Sequence, residues 1–370
     1  MSESPLYRRI MSGETGAWAS PLRAGLWVAA WAYRAAVNRR NRAYDTQPAR
    51  AVKLPVPVIS IGNITAGGTG KTPLVLDVVR RLQERGRRPA VVSRGYKSRS
   101  DQGADELLLV RRRFGNVVTV ADADRVAGGL KAIEHGADTI VLDDAFQHRR
   151  VRRDLDVVTV DATCPFGYGH LLPRGVLREP LSSLVRADLF VLSRTDMVSA
   201  DRTEAIGDAL RRYNPDASIL RSCHRPTHLS QLDGGRLSLS ALQDRKVLCV
   251  AGIGNPGAFV GTTEQIGATP IHCVRLSDHA SYNAAVYSSL AGVAKRFPDA
   301  EYLVTTEKDL VKLESGLWAS FPVPIVAVVI DIDLTPEDDT MLDAAIERLI
   351  APAPPEDSDA ERAVPTDRPE

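Results

Sequence analysis

From residue 55 onward, short apolar runs alternate with segments whose apolar positions follow a helical spacing. Such runs predict strands, and the segments between them predict helices that pack on a sheet. In the first half of the chain, helices are predicted at residues 71–85 and 202–213, and strands at residues 57–61, 88–93, 117–120, 139–142, 156–160, 188–193 and 219–221. Strands separated by helices imply a mostly parallel sheet, so the predicted fold class is α/β.

The pattern is interrupted at residues 224–236, where Pro226, Gly234 and Gly235 predict an irregular connection. A second α/β series follows, with helices predicted at 258–266, 282–297 and 335–350 and strands at 246–251, 271–274, 302–305 and 325–329. A chain of 370 residues exceeds the usual size of one domain, about 100–200 residues. We therefore predict a larger domain at residues 51–225 and a smaller one at 226–350. The Pro-rich, acidic residues 351–370 predict a disordered tail.

Residues 1–50 contain an apolar stretch at 24–33 that ends at a basic segment. The stretch is shorter than the ~20 residues that a membrane-spanning helix needs. It carries Trp27 and Trp31, and arginines follow from Arg34 onward. Aromatic and basic side chains together are typical of an amphipathic helix on an anionic membrane surface. A helix packed on the protein's own core, with a solvated basic end, fits the same pattern.

Composition and charge exclude several other classes. Lys plus Arg is 47 and Asp plus Glu is 46, so the net charge of +1 does not indicate a nucleic-acid-binding protein. The four cysteines form no C-x-x-C pair, which argues against a zinc knuckle or a disulfide framework and favours a reducing compartment.

A glycine-rich turn follows the first predicted strand and opens the first predicted helix. The turn matches the phosphate-binding P-loop pattern, G-x-x-x-x-G-K-[ST], except that a threonine replaces the first glycine. Backbone N–H groups of such a loop converge on phosphate oxygens, while Lys71 reaches the β- and γ-phosphates and the Thr72 hydroxyl can bind Mg²⁺. An incidental glycine-rich turn is the alternative. The predicted nucleotide-binding residues are Thr65, Ala66, Gly67, Gly68, Thr69, Gly70, Lys71 and Thr72.

An apolar strand that ends in two carboxylates should complete a magnesium–nucleotide site. Residues 139–142 are followed by Asp143 and Asp144, which therefore join Thr72 as predicted Mg²⁺ ligands at the carboxyl edge of the sheet.

A second glycine motif, G-x-G-x-x-G, lies at residues 252–257, and Asp278 follows 21 residues later. This spacing matches a dinucleotide-binding fingerprint, so an NAD-dependent enzyme is one alternative. We favour a tight turn whose glycines serve packing, because Asn-Pro occupies the turn.

Several short motifs occur together in a fixed order over residues 55–312. They are GNITAGGTGKTP at 62–73, SRGY at 93–96, Asp105-Glu106, DDAFQHR at 143–149, LPRG with LREP at 172–180, AGIGNP at 251–256, Asp278-His279 and TTEKD at 305–309. Together they resemble the tetraacyldisaccharide 4′-kinases, the lipid A 4′-kinases, in which threonine also begins the P-loop. Departures from the family pattern are Lys97, Ala145, Ala280 and the segment 104–107. These changes leave the carboxylates and His279 in place.

The resemblance implies an α/β P-loop domain, a second, smaller α/β domain and an N-terminal amphipathic helix. It implies transfer of the γ-phosphate of ATP, with Mg²⁺, to the 4′-hydroxyl of tetraacyldisaccharide 1-phosphate in lipid A biosynthesis. The lipid substrate would be met at the cytoplasmic face of the bacterial inner membrane, where the protein would be peripheral and residues 1–50 would supply docking. No nucleic-acid partner is expected, and no protein partner is evident.

The same resemblance assigns residue roles. Asp105 would be the catalytic base, paired with His279 from the second domain, and Lys71 would hold the β- and γ-phosphates. Arg178 and Glu179 would be active-site residues, with Arg178 paired to a phosphate. The roles of Gln147, His148 and Arg149 stay open, as does a base-reading role for residues 193–196.

Two further classes remain as alternatives. A P-loop NTPase acting on protein or metal partners would need clustered Cys or His ligands, which the sequence does not offer, and would prefer GTP. A non-enzymatic binding module would leave the complete phosphoryl-transfer set without a use.

Overall fold

The computed structural model describes residues 20–95, 105–253, 256–277, 280–313 and 315–351. Its first element is helix α1, Ser20–Thr46, which is long and begins at a proline-containing first turn. The predicted tail lies outside the described residues apart from Ala351. Within the described part of the chain, no helix combines the length and apolar character needed to cross a bilayer.

Parallel strands with helices between them form the first half of the molecule. The strands are β1 Val58–Asn63, β2 Pro89–Ser93, β3 Val118–Ala121, β4 Thr139–Asp143, β5 Leu155–Asp161 and β6 Leu189–Ser193. The helices are α2 Lys71–Glu84, α3 Asp105–Phe114, α4 Arg125–Glu134 and α5 Ala200–Tyr213. Strands β1, β2, β4, β5 and β6 are buried along their whole length, as expected for strands covered on both faces.

The second half repeats the α/β pattern. Its strands are β7 Ser218–Gln231, β8 Arg236–Leu237, β9 Lys246–Ala251, β10 Thr269–Arg275, β11 Tyr302–Thr306 and β12 Ile325–Leu334. Its helices are α6 Pro256–Gln265, α7 Ala284–Arg296, α8 Glu307–Leu310, α9 Ser315–Trp318 and α10 Pro336–Ile350.

Among the described residues, one continuous sheet runs in the order β10–β9–β11–β12–β7–β6–β5–β1–β4–β2–β3, with β8 beside β7. The pairs are parallel except those of β7 with β12 and with β8. This architecture confirms the predicted α/β class with a mostly parallel sheet. Strand β1 lies between β4 and β5, and the direction in which the chain adds strands to the sheet changes there. Ligands of open α/β sheets bind at the carboxyl ends of the strands near such a switch point.

Strand β7 differs from its predicted form. Residues 224–231 were expected to be irregular, yet they continue the strand and pair antiparallel with β12. The register shifts between Val329 and Ile330, opposite Pro226. A bulge of this kind accommodates a residue that has no N–H to donate, so the proline does not end the strand. The predicted domain boundary at 225/226 falls inside β7, and the division into domains stays a prediction.

Helix α10 follows the second series but packs on the first half. Leu342, Ala345 and Ile346 belong to the same apolar cluster as α2 and strands β1 and β5. Arg81 of α2 pairs with Asp343 of α10 at 2.6 Å, beside its own Asp77 at 2.7 Å. The two halves are therefore joined by a packed helix pair as well as by β7.

Candidate active site

The P-loop lies between β1 and α2, as predicted. Gly70 caps α2 in the left-handed region, with φ of 83°, and a Cβ atom there would stand 2.8 Å from Nε2 of His224. Gly67 has φ of 120°. Both backbone conformations favour glycine, and they turn the loop so that the amino end of α2 and its unpaired N–H groups face the sheet edge. That arrangement suits an anionic phosphate group.

Hydroxyl groups of neighbouring strands fix the loop from below. Thr69 Oγ1 and Thr159 Oγ1 of β5 lie 2.7 Å apart, and Ser193 Oγ at the end of β6 donates to the carbonyl of Thr69 at 2.9 Å. The amide of Ala66 donates to the carbonyl of Val176 at 2.6 Å. The loop is thus held by β5, β6 and the segment before Arg178, and its backbone is shaped before a nucleotide binds.

Charged side chains gather where β4 ends beside the P-loop. Asp144 follows β4 in the left-handed region, with φ of 51°. Lys71 Nζ lies 3.3 Å from Asp144 Oδ1, and Arg178 Nη1 donates to both oxygens of Asp144 at 2.9 Å. The predicted residues Lys71, Asp144 and Arg178 therefore form one connected cluster with the P-loop.

The two adjacent carboxylates of this cluster have opposite pKa shifts. Burial, together with repulsion from Glu106 and Asp144, raises the pKa of Asp143 to about 7. Burial acts in the same direction on Asp144, but Lys71 and Arg178 outweigh it and lower its pKa to about 2. Adjacent acids whose environments drive their pKa values apart are typical of functional sites.

Of the two carboxylates predicted to hold a divalent cation, Asp143 is the one with an oxygen available to it, because Asp144 is paired with Lys71 and Arg178. Asp143 Oδ1 is buried and has no hydrogen-bond partner in this structure. Thr72, the predicted hydroxyl ligand, is the second residue of α2 and directly follows Lys71. Within the described residues, no group of three or more His, Cys, Asp or Glu is arranged to hold a metal ion. Magnesium in kinases is held by one or two carboxylates together with phosphate oxygens and water, so a site of this composition suffices.

Arg178 and Glu179 are adjacent, but their side chains reach different partners. The backbone of Arg178 donates to the carbonyl of Ile64 at 2.8 Å and accepts from the Tyr33 hydroxyl at 2.9 Å. Glu179 is fully buried. Its carboxylate pairs with Arg40 of α1 and, at 2.7 Å, with Arg186. Glu179 therefore connects α1 to the P-loop half, whereas Arg178 faces Asp144.

Asp105 and Glu106 form the first turn of α3 and face the second half of the chain. Asp105 pairs with Lys312 at 2.9 Å and Glu106 with Lys308 at 3.0 Å. The charge of Glu106 also acts on Asp143. The amino end of α3 is therefore placed between the carboxylate cluster and the second half. His279, the predicted partner of Asp105, lies outside the described residues, as do Asp278, Lys97, Gly254 and Asn255.

Two groups that border the site, Arg125 and His224, were not predicted from the sequence. Arg125 is 2% exposed, contacts the carbonyl of Asp122 at 2.8 Å, and carries a charge that acts on both Asp143 and Asp144. His224 places a buried Nε2 without a hydrogen-bond partner against Gly70, and burial together with Arg194 lowers its pKa to about 4. No motif surrounds either residue, so only the folded geometry reveals them.

The residues whose roles stayed open have mixed contacts. Gln147 Nε2 donates to the carbonyl of Asn63 at 2.8 Å, and Arg149 reaches Asp45 of α1 at 2.7 Å. Burial lowers the pKa of His148. Arg194, in the segment whose base-reading role stayed open, is paired with Asp161.

A P-loop, paired carboxylates at the end of the neighbouring strand, and a lysine and an arginine directed at one of them define a phosphotransferase of the P-loop class. The model of the family described as tetraacyldisaccharide-1-P 4′-kinase matches residues 22–351. The chain belongs to this family, which makes it an ATP-dependent 4′-kinase of lipid A biosynthesis.

Proteins similar to this chain match it over most of their length. The chain is 40% identical to the tetraacyldisaccharide 4′-kinase of Syntrophus aciditrophicus over 319 residues, covering 80% of this chain and 85% of that one. It is 39% identical to the enzyme of the same name from Anaeromyxobacter sp. strain K, covering 94% and 96%. A crystal structure of the "apo" form of LpxK from Aquifex aeolicus in complex with ATP aligns with a TM-score of 0.71 at 27% identity, covering 89% of this chain and 100% of that one.

Proposed function

We propose that the chain binds ATP on the P-loop and transfers its γ-phosphate to the 4′-hydroxyl of tetraacyldisaccharide 1-phosphate. The observation that carries this assignment is the cluster at the end of β4, where one carboxylate is paired and the other has an unpartnered oxygen. Phosphoryl transfer depends mainly on positioning and charge neutralisation, which this set of groups supplies.

Within this scheme the two aspartates have separate tasks. Asp143 and Thr72 would hold Mg²⁺, which when bound would neutralise charge on the phosphate oxygens. Asp144 would orient Lys71 and Arg178, because its carboxylate contacts both cations. Lys71 would then bind the β- and γ-phosphates as the donor of the loop. Glu179 would act on this machinery through the backbone of Arg178, because its carboxylate is directed to other arginines.

Asp105 would accept the proton of the sugar hydroxyl, with His279 as its partner, a pairing that comes from the family resemblance. Asp105 begins α3, next to Glu106, whose charge acts on Asp143. A base must come within about 2.6–3.2 Å of the hydroxyl it deprotonates. The amino end of α3 supports such a position because it borders the carboxylate cluster.

The protein would meet its lipid substrate as a peripheral protein at the cytoplasmic face of the inner membrane. Helix α1 exposes Trp27 and Trp31, each more than half exposed, along with Leu22 and Val28. The helix is held to the protein through Tyr33, Asn41 and Arg40. An aromatic and apolar face beside exposed arginines suits the interface of an anionic bilayer.

The test of the activity is transfer of labelled γ-phosphate from Mg-ATP to tetraacyldisaccharide 1-phosphate in detergent micelles. We expect a product that depends on Asp105 and His279, with Asp105→Ala and His279→Ala both strongly impaired. Full activity of both variants would show that the proposed catalytic pair is wrong.

The test of the docking face is co-sedimentation of the full chain with vesicles that contain anionic lipid. A Trp27→Ser/Trp31→Ser variant should bind them more weakly while keeping its affinity for ATP, because neither residue belongs to the P-loop or to the carboxylate cluster. Unchanged vesicle binding would exclude this face as the docking surface.

A further inference from the structure

The interface between α3 and the segment after β11 is lined by ion pairs. At one end of α3, Arg113 pairs with Glu307 at 2.5 Å. At the other end, Glu106 pairs with Lys308 and Asp105 with Lys312. The TTEKD motif therefore lies directly against the helix that carries the proposed base, although about 200 residues separate the two segments in sequence.

Lys312 is the more enclosed of the two lysines whose ion pairs with the amino end of α3 are described here. Its side chain is 9% exposed, compared with 22% for Lys308. Its ammonium lies 2.9 Å from Asp105 Oδ2 and 3.2 Å from Asp309 Oδ1. An enclosed ammonium held between two carboxylates has few alternative positions, so it fixes the groups that it contacts.

Asp309 anchors Lys312 to the second half. Asp309 is fully buried, and its Oδ2 accepts the amide of Gly252 at 2.8 Å and the hydroxyl of Thr306 at 2.8 Å. A Cβ atom at Gly252 would stand 3.0 Å from Asp309 Oδ1, so this glycine permits the close approach. The first glycine of the G-x-G-x-x-G motif thus serves a packing and hydrogen-bonding role here, as the packing interpretation predicted.

These contacts form a continuous path from the turn after β9, through Asp309 and Lys312, to Asp105. We propose that Lys312 is a positioning residue for phosphoryl transfer: it holds the carboxylate of Asp105 in the orientation needed for proton abstraction. The proposal rests on the proposed role of Asp105 as the base. A fixed partner limits the rotamers of a carboxylate and so keeps it in one orientation.

The experiment compares Lys312→Met with Lys308→Met in the full chain, measuring kcat and the KM for Mg-ATP. Lys308 is the matched control, because it makes the same kind of ion pair across the same interface, four residues earlier in the chain, with the carboxylate next to Asp105. We expect Lys312→Met to lower kcat about 10²-fold, the usual cost of a misplaced catalytic group, with the KM for ATP changed by less than about twofold. Lys308→Met should keep kcat within about threefold.

Two further variants separate positioning from simple structural support. Lys312→Arg retains the positive charge, so its kcat should be at least about tenfold higher than that of Lys312→Met. In an Asp105→Asn background, Lys312→Met should change kcat by less than about twofold, because its effect passes through the residue already removed. Thermal unfolding is followed for every variant, and Lys312→Gln replaces Lys312→Met if the latter does not fold.

The inference is overturned if Lys312→Met keeps kcat within about threefold of the wild type, if Lys308→Met loses as much, or if the loss is undiminished in the Asp105→Asn background. A different result is expected if the proposed role of Asp105 as the base is itself wrong. A fully active Asp105→Asn would show that Asp105 is not the base, whereas an inactive Asp105→Asn with an active Lys312→Met rejects the role of Lys312 alone.

Discussion

Two buried carboxylates, Glu179 and Asp143, have opposite surroundings. Glu179 is paired with Arg40 and Arg186 and also accepts from Asn41 at 3.3 Å. Asp143 has an oxygen without a partner, and its nearest charged neighbours include two other acids. The first carboxylate is surrounded by donors, whereas the second has an incomplete set.

This difference separates a structural charge from one prepared for a ligand. A buried ion must be paired and hydrogen-bonded to be tolerated, and the arginines around Glu179 meet that requirement within the protein. Asp143 meets it only when a proton or a cation arrives. Variants of Glu179 should therefore lower stability, whereas variants of Asp143 should lower activity without lowering stability.

The largest effect is expected for Lys71→Ala, on activity. Loss of the phosphate-binding ammonium should lower kcat by at least about 10³-fold, comparable with removing a transition-state donor. Lys131→Ala, on the exposed face of α4, is the control and should retain the wild-type rate. Transfer rates in detergent micelles measure both. A Lys71→Ala enzyme with near-normal kcat would remove the P-loop from the mechanism.

Glu179→Gln should have the next largest effect, on stability. Arg186 and Arg40 would lose their common anion, and breaking a buried pair costs about 3–5 kcal/mol. Urea unfolding at neutral pH measures the loss of unfolding free energy, and proteolysis should cut α1 more readily. A stable Glu179→Gln variant with a strongly reduced kcat would instead place Glu179 in the chemistry, as the family resemblance implied.

Asp143→Asn should be more stable than the wild type at pH 8 in the absence of nucleotide and metal. The pKa of Asp143 is raised from 3.8 to about 7 on folding, so the folded state holds the proton more tightly, and wild-type stability falls as pH rises through that window. The gain of the variant at pH 8 should be on the order of 4 kcal/mol and should disappear near pH 4.

Asp144→Asn is the counterpart of that variant, and its expected change in stability has the opposite sign. Its pKa is lowered to about 2, so its ionised form stabilises the fold above pH about 4, and the variant should be less stable there. Urea unfolding at several pH values measures both variants. Equal pH profiles for the two would contradict the division of tasks between these aspartates.

The sequence predicted those parts of the site that one local segment builds. The P-loop, the strand before Asp143 and the alternation of strands and helices each depend on a local pattern. The different directions of the adjacent Arg178 and Glu179 side chains cannot be predicted from a local pattern, because they depend on where α1 and Asp144 lie after folding. The same is true of Lys312 and Asp105, which the fold alone brings together.

The smallest effect is expected for Arg40→Met, which removes only the outer partner of Glu179. Arg40 is 43% exposed, so solvent screens its charge, while the enclosed Arg186 keeps its contact with Glu179. We expect a loss of about 0.5–1 kcal/mol in unfolding free energy and an unchanged KM for ATP. Urea unfolding of Arg40→Met beside Glu179→Gln measures the difference between an outer and an inner member of one network. If the two variants were equally destabilised, the anchoring of α1 would depend on Arg40 itself and not on the buried carboxylate that it contacts.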